Sequence, residues 1–188
     1  MALWSKLGII AGGGELPVVL AEHCAATHRP YFVARVTPYA DAALDAHPGT
    51  SNSLGHMGAR MDAMREAGCD AIVLLGQVPR QDPRNLNLDA GGMAMVPALL
   101  AAAPQGDDAL LRALLSEHER AGFHVIGADE AMSDLLAQPG AWGAVAPTPA
   151  RPSARLRQQI AHRLVGADHV KAGALMLGKQ RAQQRIIT

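Results

Sequence analysis

Three consecutive glycines, Gly12, Gly13 and Gly14, follow the apolar run Leu7–Ala11 and stand just ahead of Pro17. Glycine tolerates positive φ and lets a ligand approach the backbone closely, so this spacing suggests a tight turn with bare N–H groups. Proline suits the first turn of a helix, so a helix is expected over residues 16–26. A strand, a glycine turn and a helix N-terminus together favour phosphate, because orphan N–H groups and the positive end of the macrodipole converge there. The pattern opens as G-x-G-x-x-G does, but Val18 occupies the third glycine position, and no Gly-Lys-Ser/Thr follows to make a Walker A loop. A tight β-α turn without a ligand is the alternative reading.

Other residues join the candidate surface through their position after apolar runs. In an open parallel sheet a ligand lies outside the carboxyl ends of the strands. That places Gly76, Gln77, Val78 and Arg80 behind Ala71–Leu75, and Gly127 and Ala128 behind residues 123–127. Arg80 offers a planar fork for phosphate or else pairs with Asp82, and Gln77 offers hydrogen bonds to a sugar or a base edge. Asp107 and Asp108 open a leucine-striped helix, where an aspartate first of all caps orphan N–H groups; the second of two would be free for Mg²⁺ or a ribose hydroxyl. The eight histidines show no zinc spacing. Ser51 and Ser53 fall in a polar loop without a Gly-x-Ser-x-Gly elbow, so acyl transfer has no visible nucleophile. Cys24 and Cys69 fit no metal or redox spacing and read as reduced, half-buried small hydrophobes.

The elements that must carry these residues alternate. After residues 7–11 come β-forming residues 31–36, a helix over 58–67 closed by Gly68, the run 71–75, the helix opening at Gly106 with Leu110, Leu111, Leu114 and Leu115 on one stripe, and a last strand over 123–127. Such alternation predicts an α/β fold, a Rossmann-like parallel sheet with helices on both faces. A chain of 188 residues, 49% hydrophobic but only 3% aromatic, must build its core from aliphatic residues and methionine. No apolar run reaches the ~18 residues of a membrane span, and no secretory signal pattern is present, which makes the expected compartment cytoplasmic. The zero net charge hides an asymmetry: residues 1–150 carry 9 Lys/Arg against 16 Asp/Glu, and residues 151–188 carry 8 against 1. Three prolines within residues 147–152 mark the change, so the expected organisation is one domain over 1–146 and a linker with a basic, poorly ordered remnant over 147–188. Within that remnant Leu156, Ile160 and Leu164 recur at i, i+4 and i+8 with Arg155, Arg157 and Arg163 off the line, the pattern of a short basic amphipathic helix.

Four blocks in order and in register carry a resemblance: Lys6 through Pro17, the Gly76 to Arg80 loop, Gly106-Asp107-Asp108-Ala109-Leu110-Leu111-Arg112, and Glu119-Arg120-Ala121-Gly122-Phe123. From about residue 6 to 147 the chain resembles the LpxI-type UDP-2,3-diacylglucosamine pyrophosphatases. The resemblance implies a Mg²⁺-dependent hydrolase of lipid A synthesis that cleaves UDP-2,3-diacylglucosamine to UMP and 2,3-diacylglucosamine 1-phosphate. It also implies that Gly12, Gly13 and Gly14 meet the diphosphate or nearby sugar, and that Gly76 to Arg80 with Asp107 and Asp108 place the nucleotide. Members of that family are roughly half as long again. They carry an Asp-Val/Ile-Gly-Gln segment and then a Glu-Gly-Thr-Asp-Ala-Met segment that supplies the catalytic aspartate. Here the first reads Ala167-Asp168-His169-Val170-Lys171-Ala172-Gly173 and the second is lacking. The loop also departs at Gln77 and at Gln81-Asp82-Pro83. The expectation is a truncated or frameshifted relative with little activity alone, binding a UDP-linked lipid or UMP. Its basic tail reads first as a solvated remnant without a partner, with attachment to an anionic surface at the inner membrane as the functional alternative; the tail holds no aromatic residue for stacking, which argues against specific nucleic-acid binding. Two other classes are a non-catalytic nucleotide-binding module and a dinucleotide-dependent oxidoreductase. The second needs an acid near the end of the second strand, where Arg35, Val36 and Thr37 stand.

Overall fold

The computed structural model describes residues 4–82 and 85–136. Five strands, β1 (Leu7–Ala11), β2 (Tyr31–Thr37), β3 (Gly49–Ser53), β4 (Ala71–Leu75) and β5 (His124–Val125), form one sheet in the order β3-β2-β1-β4-β5. Every pairing is parallel, with Ile9 opposite both Val33 and Val73. Leu7–Ala11 and Ala71–Leu75 are therefore adjacent and parallel, and the α/β architecture is the one the alternation predicted. Strand order reverses between β1 and β4, which is where open α/β sheets place their ligand crevice.

β1 is buried along its whole length, because successive side chains feed two cores. Leu7, Ile9 and Ala11 pack with Leu20, Ala21 and Cys24 of helix α1 (Glu15–Ala26) on one face. Ile10 and Ile72 pack on the other with Met61 and Met64 of α2 (Met57–Glu66), Met95 and Leu99 of α3 (Ala90–Ala102) and Leu115 of α4 (Asp107–Arg120). Methionine fills the irregular gaps that aromatic residues would fill elsewhere. Gly8 is part of the same fit, since a Cβ there would stand 3.0 Å from the Met64 sulfur. A short α5 (Ala128–Ala131) ends the described helices.

Three readings of the sequence need correction. Ser51 and Ser53 lie in strand β3, not in a polar loop. β3 borders β2 alone, so its side chains are exposed or half-buried and leave no apolar run; Arg35 Nε of β2 reaches Ser51 Oγ at 2.9 Å instead. Helix α3 was absent from the pattern because it has no polar face to create a period and contains Gly91, Gly92 and Pro97. The last strand shrinks from 123–127 to His124–Val125, because Ala128 already begins α5. Residues 137–188, including the linker and the basic pattern over 155–164, lie outside the described residues, as does the end of the expected 1–146 domain.

Candidate functional site

The carboxyl ends of the strands bring Gly12, Gly13, Gly14, Gly76, Gln77, Val78, Gly127 and Ala128 to one edge of the sheet. The first two loops are stitched together. Gly13 N–H donates to Gln77 O and Gln77 N–H to Gly13 O, each at 2.8 Å, while Gly12 N–H donates to Leu75 O at 2.8 Å. The N–H groups of Gly12 and Gly13 are thus spent on the scaffold, which corrects the expectation of a bare glycine turn. The glycines serve close approach: a Cβ on Gly12 would fall 2.7 Å from Gln77 O, and one on Gly13 2.9 Å from Tyr39 O. The positive φ values belong to Gly14 (98°) and Gly76 (87°), not to Gly13.

What this edge does offer is the start of α1. Gly14 is its N-cap and supplies no side-chain cap. Among the described residues no hydrogen-bond partner falls to the N–H groups of Gly14, Glu15 and Leu16. Pro17 stands third in the helix, not first, and has no N–H to satisfy. Three donors and the positive end of a 12-residue helix therefore lie beside the strand-order reversal.

Arg80 pairs with Asp107 at 2.7 Å and also donates to Ala103 O at 3.1 Å. This corrects two readings at once: the partner of Arg80 is Asp107 and not Asp82, and Asp107 is not a cap. Gly106 is the N-cap of α4, with φ 104° and ψ 175°, and neither aspartate caps the helix. Asp108 pairs instead with Arg112 one turn on, and its Oδ1 is buried with no partner among the described residues. Both aspartates complement the helix dipole as first-turn acids. Gly127 caps α5 at an ordinary φ of −75° and its conformation demands no glycine.

The Mg²⁺ implied by the resemblance would call for converging carboxylate oxygens. Among the described residues no group of three or more His, Cys, Asp or Glu gathers as a metal site, and Asp107 and Asp108 are each held by an arginine. The described residues do not fit the ion, and no step is assigned to it. Both thiols are buried more fully than expected and unbridged, and burial pushes Cys24 up and Cys69 up to about 11, which disfavours the thiolate at both.

Sequence reasoning missed two features. Asp89 accepts from Gly92 N–H at 2.6 Å and Gly58 N–H at 3.1 Å through Oδ1 and from Ala59 N–H at 2.8 Å through Oδ2, so one carboxylate serves the N-termini of α3 and α2. Burial alone would raise its pKa, but these N–H bonds outweigh it and hold the carboxyl below its usual range. An aspartate ahead of an apolar stretch is a capping signal that could have announced α3. The second feature is a hollow of about 360 Å³ among Lys6, Cys24, His28, Arg29 and Tyr31. It lies at the amino ends of β1 and β2, away from the carboxyl edge. Arg29 there has structural work, since it donates to Ala131 O at 3.1 Å and pairs with Asp134 at 3.0 Å.

Comparison with known proteins agrees with this geometry. A family model described as the LpxI N-terminal domain matches residues 6–135. The chain is 45% identical over 144 residues to the UDP-2,3-diacylglucosamine pyrophosphatase LpxI of Caulobacter vibrioides, covering 77% of this chain and 51% of that protein. It thus spans about half the length of the curated relative it matches. Among solved structures it is similar to one described as an NAD-dependent epimerase/dehydratase from Methylobacillus flagellatus. That likeness has a TM-score of 0.35 and 15% identity, covering 88% of this chain and 51% of the other.

Proposed function

The chain belongs to the LpxI family through its N-terminal domain, and from that premise we propose that its carboxyl edge receives the UDP part of a UDP-2,3-diacylglucosamine-type ligand in lipid A synthesis. The observation that carries the reading is the open N-terminus of α1 beside the strand-order reversal. Its three donors, from Gly14, Glu15 and Leu16, suit a diphosphate better than a neutral group. Gly76 and Gln77 form the floor of the crevice, since their backbone is pinned to Gly12 and Gly13. Val78 at 37% exposed provides an apolar edge for a base or sugar.

The reaction in this reading is hydrolysis of the diphosphate to UMP and a diacylated sugar phosphate. In-line attack needs a positioned water and neutralised phosphoryl oxygens. The described residues supply donors for the oxygens but no base beside them, so the chain alone binds UMP or UDP weakly and turns over little substrate. Such a domain works as the ligand-holding half of the hydrolase; a purely non-catalytic nucleotide-binding module is the second reading, favoured by the same missing base.

Calorimetric titration of the 188-residue protein with UMP, together with a UMP-release assay on UDP-2,3-diacylglucosamine with and without Mg²⁺, tests this. Weak saturable UMP binding with little release is expected, and no UMP binding removes the proposal. Rapid Mg²⁺-dependent release by the 188-residue protein would overturn the reading that the chain alone turns over little substrate. Gly13→Val should abolish UMP binding, because its side chain would meet Tyr39 O 2.9 Å from the Cβ and force the two loops apart.

A further inference from the structure

On the methionine-rich side of the sheet, three buried side-chain atoms have no hydrogen-bond partner among the described residues: Arg60 Nε of α2, His118 Nε2 of α4 and Ser53 Oγ at the end of β3. Arg60 and His118 are almost wholly enclosed. A buried polar atom without a partner costs about 1–3 kcal/mol, so a group of them points to something that serves them together.

The three atoms belong to one place. Arg60 donates through Nη2 to Ser53 O at 2.9 Å, which sets its guanidinium against the end of β3. Further along, Arg65 Nη2 of α2 donates to Ala121 O at the end of α4 at 3.2 Å, so the two helices lie side by side, with Arg60 and His118 about one turn back along each. Their hydrogen-bonding capacities are complementary. His118 Nδ1 lies 2.7 Å from Leu114 O and carries the ring proton, because a carbonyl only accepts, which leaves Nε2 an acceptor. Arg60 Nε–H can only donate, and the Ser53 hydroxyl can do either. A cation there would face the guanidinium, and an anion would face the Nε2 lone pair. What fits is a small neutral molecule that both donates and accepts, and a buried water with about three polar partners is the ordinary one.

We propose that Arg60, His118 and Ser53 hold one internal water that ties α2 and α4 to the carboxyl end of β3, and that proton uptake from solvent at His118 Nε2 releases it. The water accepts from Arg60 Nε–H, donates to Nε2 and shares its remaining capacity with Ser53 Oγ. Protonation turns the Nε2 acceptor into a donor and sets a second positive charge beside Arg60, so the bridge fails. Arg60 then holds Ser53 O less firmly. Ser53 O also receives His56 N–H at 3.1 Å, and Gly55 O receives Asp89 N–H at 3.3 Å, so the part that yields is the turn after β3 and its link to Asp89. Burial, and Arg60 after it, lower the His118 pKa, while the Leu114 bond and Glu117 act the other way. The closed cluster therefore binds the proton less readily than the opened one, and its stability declines as pH falls below about 6.5. Other charges near it are few: Asp89 acts on Arg60 and His56 on Asp89, β4 and residues 90–106 carry none, and His124 of β5 is exposed.

Two measurements on the full 188-residue chain test this. Nitrogen-15 NMR of the histidine rings at pH 7.5 should show His118 as the Nδ1–H tautomer, with a cross-peak from water to a ring C–H proton. An Nε2–H tautomer, or a ring without water contact, overturns the water site. Amide exchange at pH 7.5 and 5.0, corrected for intrinsic rates, then reads the release. The opening equilibria of the His56 and Asp89 amides should rise at least about threefold at the lower pH, within the limit of about tenfold per pH unit that one linked proton sets. His118→Gln, which keeps an acceptor oxygen and does not titrate, should flatten that rise. His56 remains in the variant, so a rise that persists there belongs to His56 and overturns the switch. An equal rise at every amide of the sheet assigns the proton to global unfolding and overturns the local release, as does no rise at all. Both wild-type readings decide the matter even if the variant fails to fold.

Discussion

Arg60 and His118 are 4% and 2% exposed inside the methionine-rich core, where a charge costs more than any surface position would exact. Arg60 spends one donor on Ser53 O at 2.9 Å, and burial lowers its pKa to about 10, still far above neutrality. His118 Nδ1 lies 2.7 Å from Leu114 O, and because a carbonyl only accepts, Nδ1 carries the proton. Burial lowers the His118 pKa and nearby Arg60 adds to the fall, against the opposing pull of the Leu114 bond and Glu117. The folded state therefore binds a proton at His118 less readily than the unfolded state. The stability that this supplies is complete above the unfolded value of about 6.5 and declines as pH falls below it. Urea unfolding at pH 7.5 and 5.5 should show a loss for the wild type that is smaller in His118→Gln; equal losses would count against the assignment. Nothing in the spacing of eight histidines could have picked out His118, since its role comes from burial against Arg60 across two helices. Asp107 and Asp108 show the opposite limit: residue type gave the helix start correctly, but Gly106 took the cap and moved both acids one position inward, to arginines.

At the scale of elements, sequence reading succeeded where burial was two-sided. β1 and β4 are short apolar runs because both faces of a central parallel strand are covered, and the chain turns soon after them at Gly14 and Gly76. β3 escaped because an edge strand needs no apolar run, and α3 because a helix apolar inside and out has no period. What fixes α3 is Asp89, and its truncation is a test of the element. Asp89→Ala removes the acceptor for three N–H groups at the starts of two helices. A lost cap costs about 1 kcal/mol, so the two together should cost about 2 kcal/mol and lower the melting temperature by roughly 5–10 °C. Asp89→Asn, which keeps an acceptor oxygen, should lose less. A melting temperature for Asp89→Ala within a degree of wild type would show that α2 and α3 hold their positions without the shared carboxylate.

At the scale of the whole chain the charges divide the molecule where the described residues end. Residues 1–150 carry a net −7, from 9 Lys/Arg and 16 Asp/Glu, and residues 151–188 a net +7, from 8 and 1. That division was legible from composition alone, because net charge needs no fold to be counted. Among the described residues no helix is long and apolar enough to cross a membrane. The two halves then have opposite preferences: an anionic bilayer repels the first and attracts the second by roughly 1 kcal/mol per basic residue near the surface. We propose that residues 151–188 hold the protein at the membrane in which a diacylated ligand resides, leaving the carboxyl edge free to receive it. Co-sedimentation with lipid vesicles tests this. The wild-type chain should pellet with anionic but not neutral vesicles, and salt should reverse it, since electrostatic attraction falls off within a Debye length of about 8 Å at physiological ionic strength. Deleting residues 151–188 should abolish the pelleting. Equal pelleting without residues 151–188 would remove them as the attachment, and equal pelleting with neutral vesicles would show that charge does not drive the interaction.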